Sequence, residues 1–276
     1  MSELYSAKFQ EKLRDLGESL APVYRTASPF PHIVVDDFLP EAALAAALDA
    51  FPKPRTIAHR EYDDERQAKL EYNSPDRMAE PLRDILFFLN SHVALGFLEK
   101  LTGISGLISD PYYIGGGLHQ IERGGFLAVH ADFNKLEKLN LDRRLNALIY
   151  LNRDWKEEYG GHLELWDRSM SACAKRVLPI FNRLVVFSTT EHSFHGHPIP
   201  LSCPANRTRR SIATYYYTNG RPEEEESAPH STLWQSRPGG VPAKPAAHFR
   251  TFKKIARSLV PPIVVDLYRT TRGNRA

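Results

Sequence analysis

The second half of the chain is cut into short β-prone runs, and that segmentation limits the fold more than any other feature. After Pro111 the stretches YYIGGGLHQI, GGFLAVHAD, RRLNALIYLN, GGHLELWD, NRLVVFST and RSIATYYYT follow one another, separated by Gly, Asn and Asp clusters. Runs of this length, rich in β-branched and aromatic residues and bounded by turn formers, predict short strands of a β-sandwich or jelly roll. Helical spacing is confined to the first part of the chain. Leu4, Phe9, Leu13, Leu16 and Leu20 predict an amphipathic helix. FPHIVVDDFLP reads as a short strand, His32–Val35, and Pro40 suits the first turn of the alanine-rich helix PEAALAAALDAF. Leu82, Ile85, Leu86, Leu89, Val93 and Phe97 predict a second long helix stopping near Gly103. The polar stretch 53–80 reads as a loop or lid, as does 133–143. No internal repeat is present.

An apolar fraction of 42% over 276 residues is enough to bury a sizeable core and excludes global disorder. The net charge of +3 gives no reason to expect nucleic-acid binding by the whole molecule. Charge is concentrated at the end, where Arg250, Lys253, Lys254, Arg257, Arg269, Arg272 and Arg275 face only Asp266. That tail fits an anionic partner, and equally an ordinary surface helix. Cys173 and Cys203 are the only cysteines and form no CxxC motif, so neither a disulfide framework nor a thiolate metal site is expected. The amino terminus lacks a signal-peptide core, and no run approaches the roughly 20 apolar residues of a membrane span. A reducing, cytoplasmic setting is the expectation.

In FLAVHADFN, His130 and Asp132 stand two positions apart, on one face of a strand. They suggest half of a metal site. Candidates for a third ligand cluster in TTEHSFHGHPIP as His192, His195 and His197, just after an apolar strand. Two imidazoles and one carboxylate with open positions form the facial arrangement of non-haem Fe(II) oxygenases. In NRTRRSIATYYYT, Arg209 and Ser211 share a face, and a guanidinium binds a carboxylate through paired hydrogen bonds. Arg207 and Arg210 read as a charged strand end. Each motif alone has an ordinary structural reading: a turn aspartate, a solvated histidine loop, a surface ion pair.

In this order and spacing, the motifs resemble the 2-oxoglutarate/Fe(II)-dependent dioxygenases, in the prolyl-4-hydroxylase-like branch. The resemblance spans about residues 112–218 and includes the YLNRDW…GGHL framing and NRLVVFST before the distal histidine. It implies an α+β chain with a double-stranded β-helix (jelly-roll) core. Residues 1–105 would be an N-terminal helical support packed on that core. Residues 106–220 would be the dioxygenase core, and 221–276 a proline-rich extension with a basic C-terminal segment. It further implies that His130, Asp132 and His195 ligate Fe(II), with His192 and His197 as rivals for the third place. Arg209, Ser211 and Tyr150 would hold the far carboxylate of 2-oxoglutarate, and a shift of one residue in register would exchange Arg209 for Arg210. O2 would be the second cosubstrate and ascorbate a reductant. The chain departs from the family where many members carry a tyrosine about ten residues before the HxD; here stand His119, Gln120 and Ile121.

The implied reaction is hydroxylation of an unactivated C–H bond in a prolyl-containing, amino-acid or other small-molecule substrate. Catalytic motifs of this kind do not report the substrate. Two rivals remain at this stage. A zinc-dependent hydrolase or isomerase on the same three ligands gives Arg209 no role. A non-catalytic jelly-roll binding protein gives no reason to keep His130, Asp132, His195 and Arg209 together.

Overall fold

Two antiparallel sheets, with the chain passing back and forth between them, organise the computed structural model, which describes residues 3–57 and 59–238. The strands are β1 (His32–Val35), β2 (Arg60–Asp63), β3 (Ala68–Tyr72), β4 (Ile108–Ser109), β5 (Gly117–Ile121), β6 (Leu127–Ala131) and β7 (Lys135–Leu136). They continue with β8 (Leu141–Tyr150), β9 (Leu163–Trp166), β10 (Cys173–Val177), β11 (Leu184–Ser188), β12 (His195–His197), β13 (Arg209–Thr218) and β14 (Leu233–Trp234). The larger sheet runs β1-β11-β8-β13-β5-β3-β2, with β4 on β13 and β7 on β8. The smaller runs β10-β9-β12-β6-β14. From β5 onward the chain moves repeatedly from one sheet to the other, so residues distant in sequence face each other across the interior.

Four α-helices are described: α1 (Ala7–Thr26), α2 (Glu41–Asp49), α3 (Glu80–Leu89) and α4 (His92–Thr102). Ser6 caps α1 by accepting a hydrogen bond from the Phe9 N–H. Phe9, Leu13, Gly17, Ala21 and Tyr24 form its buried stripe. A Cβ at Gly17 would stand 3.0 Å from the Phe97 carbonyl, so glycine lets α1 lie close against α4. The helices share one core with the outer face of the larger sheet; the Tyr216 hydroxyl of β13 donates to the Leu89 carbonyl at the end of α3. Each fully buried leucine or isoleucine there contributes ~1.5–3 kcal/mol.

The expected long helix is two helices bent by 47°. Ser91 caps α4, and the Asn90 side chain donates to the Asp110 carbonyl, which ends α3. The stop at Gly103 is as expected, with a left-handed φ of 77°. Among the described residues no single helix is long and apolar enough to cross a membrane. Residues 53–80, expected as a loop, hold the β2–β3 hairpin, which extends the larger sheet beyond β5. Residues 133–143 contain β7 and the start of β8. The proline-rich extension after residue 220 returns as β14 to pair with β6. The basic tail from His248 onward lies outside the described residues.

Candidate active site

The inner faces of both sheets and the β2–β3 hairpin line a cavity of about 290 Å³. His130 lies on β6 and His195 on β12, directly opposite one another in the strand pairing. Their ring centroids are 4.5 Å apart. Asp132 follows β6 on the same face, and one ligand atom from each of the three residues lies within 4.8 Å of the others. Nδ1 of His130 bonds to the Ala128 carbonyl at 2.8 Å and Nδ1 of His195 to the Ser193 carbonyl at 2.9 Å. A carbonyl oxygen only accepts, so each ring carries its hydrogen on Nδ1 and offers the lone pair of Nε2. That donor set, two buried imidazoles and a carboxylate with Nε2 turned to Asp132, fits a divalent first-row metal.

The carboxylate is held from behind. Asn146 donates to Asp132 Oδ2 at 2.7 Å, and Arg143 Nη2 reaches the same oxygen at 3.0 Å. Arg143 also donates through Nε and Nη2 to Asn146 Oδ1, and its guanidinium lies over the Tyr215 ring at 3.6 Å. Burial pushes the Asp132 carboxyl up, but the Arg143 guanidinium beside it outweighs that and holds it well below the usual carboxylate range. Burial first, and then neighbouring His130, push His195 down to about 4, which keeps the ring neutral as a ligand must be.

Of the rival histidines, His192 is partly exposed and engages Arg168 and Glu191 outside the cluster. His197 is inside the cavity but not in the cluster, and neither of its ring nitrogens has a hydrogen-bond partner. Between the two histidines Gly196 approaches β6 so closely that a Cβ would lie 2.8 Å from the Leu127 carbonyl. Only glycine permits that approach, which brings His195 beside His130.

The other end of the cavity is built on β13 and β8. Arg209 is buried, donates through Nε to the Gly161 carbonyl at 2.8 Å and through Nη2 to the Tyr150 hydroxyl at 3.3 Å. No carboxylate among the described residues lies within ion-pair distance of it. Burial lowers its pKa from the usual guanidinium range. Gly161, at φ 73°, leaves room for the Arg209 side chain, which a Cβ would meet at 2.9 Å. Ser211 and Tyr150 are paired neighbours on the same sheet face. Arg210 points to the opposite face, bonding Thr208 and lying over Phe51. At the upstream position, Gln120 faces away from the cavity and bonds Tyr72 and Thr208, whereas His119 lines the cavity with Nε2 on the Gly115 carbonyl.

Residues 116–217 match the family model described as the 2OG-Fe(II) oxygenase superfamily. This region is a 2OG-Fe(II) oxygenase domain. The protein is accordingly a 2-oxoglutarate- and Fe(II)-dependent oxygenase, an enzyme. Its fold is that of the prolyl-4-hydroxylase-like branch. A Trichoplax adhaerens prolyl hydroxylase in complex with a hypoxia inducible factor oxygen degradation domain peptide superposes with a TM-score of 0.57 at 17% identity, over 78% of this chain and 96% of that one. A Pseudomonas putida prolyl-4-hydroxylase gives 0.53 at 19%, over 73% and 100%. HygX from Streptomyces hygroscopicus, with nickel, 2-oxoglutarate and hygromycin B bound, gives 0.51 at 11%, over 78% and 96%. A search of the curated proteins gave no match.

Three site features escape the sequence. Arg143 and Asn146 are an odd number of residues apart, which places them on opposite faces of a regular strand. A register shift between Tyr216 and Tyr217 of β13, opposite this part of β8, accompanies their convergence on Asp132. Trp234 packs against His130 at 5.1 Å between centroids, with the rings inclined by 43°, from a segment with no strand pattern of its own. Lys69 and Glu71 line the cavity from β3. There the alternation K-L-E-Y, with Leu70 and Tyr72 buried, was the available signal.

Proposed function

We propose that the oxygenase hydroxylates an unactivated C–H bond of a peptide or small-molecule substrate, with release of succinate and CO2. In this reading His130, Asp132 and His195 hold Fe(II), and Arg209, Tyr150 and Ser211 hold 2-oxoglutarate. The observation that carries it is a buried guanidinium with no protein carboxylate for partner, in the same cavity as a two-histidine, one-carboxylate cluster. A buried cation left so costs several kcal/mol, of order; a dicarboxylate ligand offsets that cost. The zinc hydrolase reading leaves Arg209 without a function.

The chain's own contribution is placement. The two Nδ1–H groups, anchored on backbone carbonyls, fix the imidazole planes. Asn146 and Arg143 fix the carboxylate and keep it ionised. Arg209 binds the distal carboxylate, with the Tyr150 hydroxyl beside it, and so sets the direction in which the keto acid reaches toward the histidines. Bound Fe(II), with 2-oxoglutarate and O2, supplies the oxidising chemistry.

The two sheets, with strands assigned alternately to each, support a double-stranded β-helix for residues 106–220. Residues 1–105 serve as its support, and the segment after 220 as an extension reaching back through β14. The two free cysteines suit a reducing, cytoplasmic compartment. The test is anaerobic addition of Fe(II) and 2-oxoglutarate to the metal-free protein. A weak visible charge-transfer band is expected, absent in Arg209→Ala at the same concentrations. A colourless wild-type mixture overturns the assignment.

A further inference from the structure

The cavity has a wall that neither the metal cluster nor the 2-oxoglutarate end uses. It is supplied by β2 and β3. Strand pairing lines up Arg60, Glu71, His119, Ser211 and Tyr150 as one row across five strands. At ~4.8 Å per strand the row is about 19 Å wide. One end is the proposed cosubstrate site. The other end is charged.

Glu71 is only 1% exposed. Its Oε2 stands 3.6 Å from Lys69 Nζ and 4.0 Å from His119 Nε2, and its Oε1 has no hydrogen-bond partner at all. Buried carboxylate oxygens in folded proteins are satisfied, so this one awaits a donor. Lys69 lies two residues away on the same strand face, and its distance to Glu71 exceeds ordinary hydrogen-bond length. Its ammonium sits over the Tyr62 ring at 5.1 Å, and Arg60 bonds the Tyr62 hydroxyl at 3.1 Å. All four side chains line the cavity.

The charges sort themselves. Asp132 is matched by Arg143, and Arg209 by the distal carboxylate of the cosubstrate. What remains is an acceptor, Glu71, beside two cations, Lys69 and Arg60. That pattern is complementary to a ligand carrying both a cationic N–H donor and an anion. The backbone of a residue inside a peptide chain offers neither. The cavity also stands at the small end of the ~300–1,000 Å³ typical of small-molecule sites.

We infer that the primary substrate is a free α-amino acid, its ammonium received by Glu71 and its carboxylate by Lys69 with Arg60. The inference rests on the oxygenase reading above and narrows its substrate to a small zwitterion.

The test uses the full chain with Fe(II), 2-oxoglutarate and the twenty protein amino acids, each beside its N-acetyl amide, in which both charges are removed. Substrate-coupled succinate release and a gain of one oxygen by mass are expected for at least one free amino acid. Its blocked form should fall by at least a hundredfold in kcat/KM. Glu71→Gln and Lys69→Met should each raise KM for that amino acid at least tenfold, with the 2-oxoglutarate charge-transfer titration unmoved. Coupled turnover of a blocked amino acid or an internal prolyl peptide at the rate of the free form overturns the inference. So does turnover of none of the twenty while the charge-transfer band is present. Absence of the band itself removes the oxygenase reading instead.

Discussion

Two arginines lie buried in the same cavity and live in opposite circumstances. Arg143 meets Asp132 at 3.0 Å, clasps Asn146 and stacks on Tyr215. Arg209 has a carbonyl and a phenol but no protein carboxylate. Arg143 has its countercharge within the fold, whereas Arg209 leaves room for an anionic ligand. The contrast separates the positioning end of the site from the binding end, and substitutions should divide along that line.

The largest expected effect is at the positioning end. Asp132→Ala should lower succinate formation at least ~1,000-fold, because it deletes a ligand of the proposed metal site and strands Arg143. Measurable turnover near the wild-type rate would merge the two ends. Arg143→Met, which leaves Asp132 buried without its cation, should cost ~3–5 kcal/mol of stability in urea melts. Arg209→Met should do the reverse in the absence of cosubstrate, gaining ~1 kcal/mol by removing an unmatched charge. Its cost appears on titration with 2-oxoglutarate, as a loss of ~100-fold in affinity. A destabilised Arg209→Met would erase the distinction. The smallest effect is on pH. Unfolded histidine binds a proton near ~6.5, whereas folded His195 refuses one until about 4. The metal-free protein should therefore keep its stability above pH ~6.5 and lose it progressively as pH falls toward about 4. Buried His197 pushes the same way. Thermal midpoints across that range in chelator would show it.

The sequence carries the positions of HxD, the distal histidine cluster and the RxS strand because each is local and periodic. The six strand segments expected after Pro111 match β5, β6, β8, β9, β11 and β13. The choice among His192, His195 and His197 is not local; it depends on the Gly196 approach to β6, which spacing does not reveal. The split at Asn90–Ser91 was written in a cap residue that an apolar stripe on both sides concealed. The β2–β3 hairpin is concealed because residues 53–80 are polar as a whole, although K-L-E-Y within them alternates. The Arg143–Asn146 pairing was illegible because a register irregularity defeats the two-residue period on which strand reading depends.

Trp234 deserves a last thought as a matter of timing. Its strand closes against β6, opposite His130. Proteins emerge from synthesis amino end first, so His130, Asp132, His195 and Arg209 all exist before this indole does. The strand that covers His130 is therefore the last of the described strands to be made, added after the other walls of the cavity.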